Sequence, residues 1–214
     1  MGHNFGQVGE EYDGGGVYRG ANSAVSAQDT TWSHWLTDRK AKVEESILLV
    51  QKYPWFNLSN GPYSITFTST GTYPRWYLHL SVSNMQHEDD FQIQVDGMSL
   101  MWKWNGLKDR SMYSWTESSM FSFTKGTHTL TMITPGSTPA AVRQICSLTL
   151  HEYKSEESFQ MKNDKVISIY PTWNAKNVKS YRPSNEKCLM RNMTSTSFCT
   201  VCEEVSDKNI YKKY

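Results

Sequence analysis

An Asp-Gly pair between two alternating apolar runs constrains this chain more than any other feature. Phe91, Ile93 and Val95 alternate with polar residues up to Asp96-Gly97, and Met98 and Leu100 resume on the far side, followed by Trp102 and Trp104. Such a pair between alternating runs is a strong short-range hairpin signal, because both turn positions need positive φ. The neighbouring sequence repeats the pattern. Tyr63, Ile65 and Phe67 alternate with Ser64, Thr66 and Thr68, and Trp76, Leu78, Leu80 and Val82 alternate with Tyr77, His79 and Ser81. Later runs cover Met120 to Thr124, Thr127 to Thr134 (His128, Leu130 and Met132 on one face) and Gln144 to Tyr153, with Asn105-Gly106 as another turn. Seven or eight short strands with turns between them predict an antiparallel β-sandwich, jelly-roll-like, over 61–153.

The flanks read differently. Residues 1–60 hold an acidic stretch, the Gly-rich Asp13-Gly14-Gly15-Gly16, a Ser/Ala/Asp/Thr-rich connection over 22–31 and the pair Trp32 and Trp35. Thr37 to Gln51 fits a helix capped by Thr37 or Asp38. It fits an extended segment from Glu45 onward equally well, because Ile47 to Val50 has no decisive period. Residues 154–214 are polar and irregular apart from one candidate strand, Val166 to Tyr170. The expected class is therefore mainly β with irregular α/β flanks, in three segments: 1–60, 61–153 and 154–214.

Composition removes several functions. With 22 Lys+Arg against 21 Asp+Glu the net charge is +1, which makes no electrostatic case for nucleic acid or an anionic membrane. The run Ile47-Leu48-Leu49-Val50 is far short of the roughly 20 residues of a membrane span. No basic-then-apolar leader opens the 214 residues, so none of them reads as a signal peptide. Cysteines stand at 146, 188, 199 and 202, and four cysteines allow three full pairings. The sequons Asn57-Leu58-Ser59 and Asn192-Met193-Thr194 fit a secretory history, so an oxidising compartment is expected.

The first dozen residues, Met1-Gly2-His3-Asn4-Phe5-Gly6-Gln7-Val8-Gly9-Glu10-Glu11-Tyr12, carry the sharpest chemical pattern. On a continuous helix His3 and Glu10 would be about 700° apart at roughly 100° per residue, hence on nearly one side. Taken alone, a solvated His and an acidic surface turn explain them as well. The stretch GHNFGQVGEEYDGG nevertheless resembles the end of the extended HExxH signature of the IgA-peptidase family of zinc metallopeptidases. So do Val17-Tyr18, Gly20-Ala21-Asn22-Ser23-Ala24 and Trp32-Ser33-His34-Trp35-Leu36. The tail from Tyr181 to Arg191, with Phe198-Cys199-Thr200-Val201-Cys202, is similar to the same family's C-terminal signature.

The resemblance implies that His3 is the second His ligand of the zinc motif and Glu10 its acidic third ligand, with Glu11 next in line. It places the first His and the general-base Glu before Met1. A complete site of that type lowers the pKa of a metal-bound water toward 7 and uses the Glu to take its proton. This chain would then be the C-terminal part of a zinc endopeptidase, inactive alone and holding zinc weakly or not at all, its sandwich inserted between remnants of the catalytic domain. The intact parent is expected to be secreted and to act on a protein or peptide. Met190 would form an apolar floor beneath the metal ligands, and Tyr181 and Arg182 would face the substrate cleft, where such groups stabilise an oxyanion. Simple packing and an ordinary aromatic turn explain the same three residues.

Other constellations are weaker. His151-Glu152-Tyr153-Lys154-Ser155 lacks the second His, and His34, His79, His87 and His128 show no ligand spacing. Cys199-Thr200-Val201-Cys202 has neither a βαβ setting nor a second pair, which leaves a disulfide from Cys188 to Cys199 or Cys202 as the expected state. Cys146 lies on an alternating face with Leu148 and Leu150 and is expected as a buried thiol, with pairing to the leftover tail cysteine as the alternative. Trp102, Trp104 and Trp115 fit either an aromatic platform for sugar or peptide or, as is commoner for tryptophans in a sandwich, core packing. From the platform comes the alternative function, an accessory module for carbohydrate or protein.

Overall fold

The computed structural model describes residues 8–9, 19–40, 42–116, 121–135, 142–160, 165–185 and 188–211. The chain divides into two units: Ile47–Lys154, and Met1–Ser46 together with Ser155–Tyr214.

The Ile47–Lys154 unit is an antiparallel sandwich. Its strands are β1 (Ile47–Lys52), β2 (Phe56–Asn57), β3 (Tyr63–Ser69), β4 (Arg75–Ser83), β5 (Gln92–Val95), β6 (Met98–Leu100), β7 (Ser111–Thr116), β8 (Gly126–Ile133) and β9 (Gln144–Tyr153). One sheet runs β1-β9-β4-β7 with β2 also on β9, and the other runs β3-β8-β5-β6. Ile47 to Val50 is therefore extended, and pairing with β9 starts the sandwich at 47 rather than 61. The β5–β6 turn has Asp96 at φ 50° and Gly97 at φ 81°, the two positive angles that the Asp-Gly pair predicts.

Inward side chains of the two sheets form one core: Trp76, Leu78, Leu80 and Val82 from β4, Leu148 and Leu150 from β9, and Phe67, Leu130, Met132, Ile93 and Val95 from the second sheet. The outward residues of β4 depart from the simple in-out pattern. Tyr77, His79 and Ser81 are all at most 1% exposed. They tolerate burial by bonding one another's neighbours: Tyr77 Oη lies 2.9 Å from His79 Nδ1, and Arg110 Nε donates to Ser81 Oγ at 2.8 Å.

Three sequence expectations shift. Phe121 to Thr124 is not a strand, and residues 117–120 lie outside the described set. Trp102 and Trp104 leave β6, because Trp102 turns its indole N–H to Phe91 O at 2.8 Å. Strand β7 has no counterpart among the runs read from the sequence, since its alternation is broken by Tyr113 beside Met112.

In the second unit, β10 (Tyr170–Trp173) and β11 (Lys179–Arg182) form a hairpin, and α1 spans Thr200–Tyr211. Residues 20–24 join this hairpin through the Ala24–Tyr181 bridge. Trp32 is fully buried among Ala24, Leu36, Ile167, Ile169 and Val201, and its indole donates to Ser168 O at 2.9 Å. The segment 154–214 thus gains its order from residues far away in sequence.

Candidate functional site

Strand register gathers several loops at one end of the sandwich. Ser83 faces Gln144, Val82 faces Ser111 and Asn57 faces Gln144. The chain after β2, the 84–91 connection and the 101–110 loop therefore leave the same sheet end. Trp55 stands close to that end, in the turn between Lys52, paired with Leu148, and Phe56, paired with Ile145, at φ 46° and 56% exposed. A left-handed non-glycine residue costs on the order of 1 kcal/mol or more, so the conformation is imposed by its surroundings. The preceding Pro54 and the two short strands on either side, both held on β9, fix the turn. Arg110 places its guanidinium 5.0 Å from the Trp55 ring centroid, which ties this turn to the 101–110 loop.

That loop is rigid by its own indoles. Trp115 Nε1 donates to Met101 O at 2.7 Å and Trp104 Nε1 to Leu107 O at 3.1 Å, while Asn105 Oδ1 accepts from Tyr113 Oη at 3.2 Å. Met101 and Leu107 remain exposed. Trp104 lies 6.0 Å from the His87 ring, and its backbone N–H reaches Glu88 Oε1 at 3.0 Å. Below the loop, Asp90 accepts from the backbone of Gln86 and His87 and from Arg143. The arrangement offers an exposed indole face, a guanidinium and neighbouring amides on a fixed frame. An exposed indole of this kind can stack on an apolar ring face.

Of the two readings for Trp102, Trp104 and Trp115, core packing holds for Trp102 and Trp115, and the platform does not form. Trp115 is 3% exposed, and Trp102 packs edge-on against Tyr113 with centroids 4.9 Å apart. Both are core residues whose N–H groups serve the backbone. Within the sandwich the exposed tryptophan is Trp55, and its sequence signal is the Tyr53-Pro54-Trp55 turn between two apolar runs.

The zinc-motif residues His3 and Glu10, and Glu11 beside them, lie outside the described residues. Tyr181 is half-buried and joins Ala24 through two backbone bonds of 3.0 and 2.8 Å. Arg182 is 3% exposed, and its guanidinium bonds Ser184 O, Pro171 O and Asn185 Oδ1 at 2.9–3.0 Å. Its hydrogen bonds hold the hairpin to the following turn. Met190 is buried with Val8, Cys188 and Cys202. None of the four cysteines is bridged; the sulfurs of Cys188, Cys199 and Cys202 come together, while Cys146 is buried in β9. His151 and Glu152 belong to β9, with Glu152 Oε1 accepting from Ser69 Oγ at 2.6 Å.

No family model and no curated protein matches the chain. Among solved structures it is similar to a CBM36-1 domain of a multidomain xylanase from the hindgut metagenome of Trinervitermes trinervoides, at 9% identity over 52% of this chain and 100% of that one, TM-score 0.35. It is also similar to a ruminal GH26 endo-β-1,4-mannanase, at 13% identity over 45% of this chain and 19% of that one, TM-score 0.33. A third is the Podospora anserina GH26-CBM35 β-(1,4)-mannanase, at 10% identity over 57% and 28% of the respective chains, TM-score 0.33. Likenesses this slight carry no argument about ligand or chemistry. The zinc-peptidase resemblance rests on its motifs alone.

Proposed function

We propose that the Ile47–Lys154 sandwich is a carbohydrate-binding module whose ligand stacks on Trp55. The observation that carries this reading is an indole 56% exposed, held at φ 46°, with a guanidinium 5.0 Å from its ring. A sugar ring has an apolar C–H face and a rim of hydroxyls. An exposed indole accepts the face, while N–H groups beside it donate to the rim hydroxyls. Pre-fixing Trp55 in a strained turn lowers the ordering cost of binding.

The test is a glycan array and a peptide array probed with the whole 214-residue chain and with Trp55→Ala. The expected result is glycan binding that Trp55→Ala weakens at least tenfold, about 1.4 kcal/mol, with the thermal midpoint retained. A blank glycan array, or binding untouched by Trp55→Ala, overturns the reading. Signal on peptides alone would make the module a protein binder.

A second reading concerns the flanks, as remnants of a zinc endopeptidase unit. It is favoured by one packing observation: Val8 and Ala21, from one resembling stretch, pack with Cys188, Met190, Phe198 and Cys199 of the other. These 214 residues contain no complete HExxH, so we expect no zinc-dependent hydrolysis from this chain alone. Chelator-sensitive cleavage of a peptide library by the purified chain, abolished by His3→Ala, would overturn that expectation.

A further inference from the structure

The sulfurs of Cys188, Cys199 and Cys202 all lie within 4.8 Å of one another, and the Cys188–Cys202 pair is 3.6 Å apart. A tetrahedral zinc ion with Zn–S bonds of about 2.3 Å places its sulfurs roughly 3.8 Å apart. Three thiols are thus gathered at close to the edge length of one metal tetrahedron. A single disulfide would use two of these sulfurs and strand the third against the bridge. One thiophilic ion uses all three.

The surroundings suit thiolates. Cys199 directly precedes α1 and Cys202 sits in its first turn, so both sulfurs lie at the positive end of a 12-residue helix. The Cys199 backbone N–H points at Cys188 Sγ, 3.3 Å away, a bond that a thiolate accepts far better than a thiol. Ser184 is 2% exposed, and its hydroxyl has no hydrogen-bond partner among the described residues.

The shell is dry. Val8 and Met190 are buried against Cys188 and Cys202, with Ala21, Phe198 and Val205 partly buried around them. Cys199 is the more exposed of the three cysteines, which leaves the ion a way in. Among the described residues no further His, Cys, Asp or Glu joins the cluster.

We propose that Cys188, Cys199 and Cys202 bind one zinc ion as a structural centre, joining the turn after residue 187 to the first turn of α1. Its ligands are thiolates, and its role is to hold the fold. Soft sulfur donors favour zinc over magnesium or calcium. Binding displaces the thiol protons that remain, so affinity falls with acid.

The experiment uses the whole chain, produced with zinc and purified under reducing conditions without chelator. Elemental analysis should give about one zinc per chain in the wild type and in Cys146→Ser, whose thiol lies in the sandwich. Cys188→Ser, Cys199→Ser and Cys202→Ser should each lose most of the metal. Because these variants can fail to fold, the wild type supplies a second readout. A mercurial reagent should release its zinc as three thiols react, and cobalt substitution should give thiolate-to-metal charge-transfer absorption. A folded wild-type chain that takes up no zinc or cobalt overturns the proposal. So does a peptide map showing Cys188 disulfide-linked to Cys199 or Cys202 in protein kept reduced throughout purification.

Discussion

His128 Nδ1 lies 2.6 Å from Asp96 Oδ2, while the other ring nitrogen lies 2.9 Å from the carbonyl oxygen of Thr124. Both neighbours only accept, so both ring nitrogens donate and the imidazole is held as its cation. Burial opposes the charge, but the bonds to Asp96 and Thr124 outweigh it and raise the His128 pKa above 6.5. Asp96 moves the other way: burial pushes its carboxyl up, and the bonds from His128 and Thr129 bring it below 3.8.

The pH dependence follows from these directions. The His128 contribution is complete below pH 6.5 and is lost as pH rises through its raised folded value. The Asp96 contribution is complete above pH 3.8 and is lost as pH falls through its lowered one. The pair therefore stabilises the turn most between those limits. With Asp96 37% exposed, screening holds the effect to roughly 0.5–1 kcal/mol. Denaturant unfolding should show this loss on going from mildly acidic to alkaline pH, and His128→Gln should abolish it. An NMR titration placing the His128 imidazole below 6.5 would refute the assignment.

Glu44 is fully buried, with Ser168 Oγ and Gln160 N–H each donating to it at 2.9 Å. Burial raises its carboxyl above 4.5, ahead of the lowering by Ser168, Gln160 and Lys42. A raised acid makes the folded state hold its proton longer, so its contribution shrinks as pH rises upward from 4.5. Glu44→Gln should flatten that part of the stability–pH curve, whatever its effect on absolute stability. An unchanged slope would count against the burial argument.

Trp115→Phe keeps most of the buried ring but removes the 2.7 Å donor to Met101 O. The expected loss is about 1–2 kcal/mol, with faster hydrogen exchange over the 101–110 loop. Trp104→Phe loses a more exposed bond and should cost less. Equal effects would mean that Trp115 does not anchor the loop.

Gly71 and Gly97 separate backbone strain from steric conflict. Both have positive φ, 69° and 81°. A Cβ on Gly71 would stand 2.6 Å from Lys125 N, whereas one on Gly97 meets nothing within 4 Å. Gly97→Ala should cost about 1 kcal/mol from conformation alone, and Gly71→Ala distinctly more. Thermal unfolding of the two variants side by side decides it.

The legible part of this protein was local. Period-2 alternation marked the inward faces of β3, β4, β5 and β8, since each strand carries its own in-out code. Asp96-Gly97 marked its turn because only a few residue types accept two positive φ angles. Ile47 to Val50 stayed ambiguous because a short apolar run fits helix or buried strand, and pairing with β9 resolved it. Strand β7 was missed because Met112 and Tyr113 break its period, yet β4 accepts it through six register pairs.

The sequence by itself determined the alternating strands, the turn chemistry, the balance of charge and the crowding of cysteines near one end. Tertiary structure decided which aromatic faces solvent, where Arg182 spends its donors, and which thiols meet. The reason is range. Alternation and turn propensity act between residues two to four apart, so they are written along the chain. The exposure of Trp55 and the convergence of Cys188 with Cys199 and Cys202 depend on which distant segments pack around them, and no local pattern carries that information.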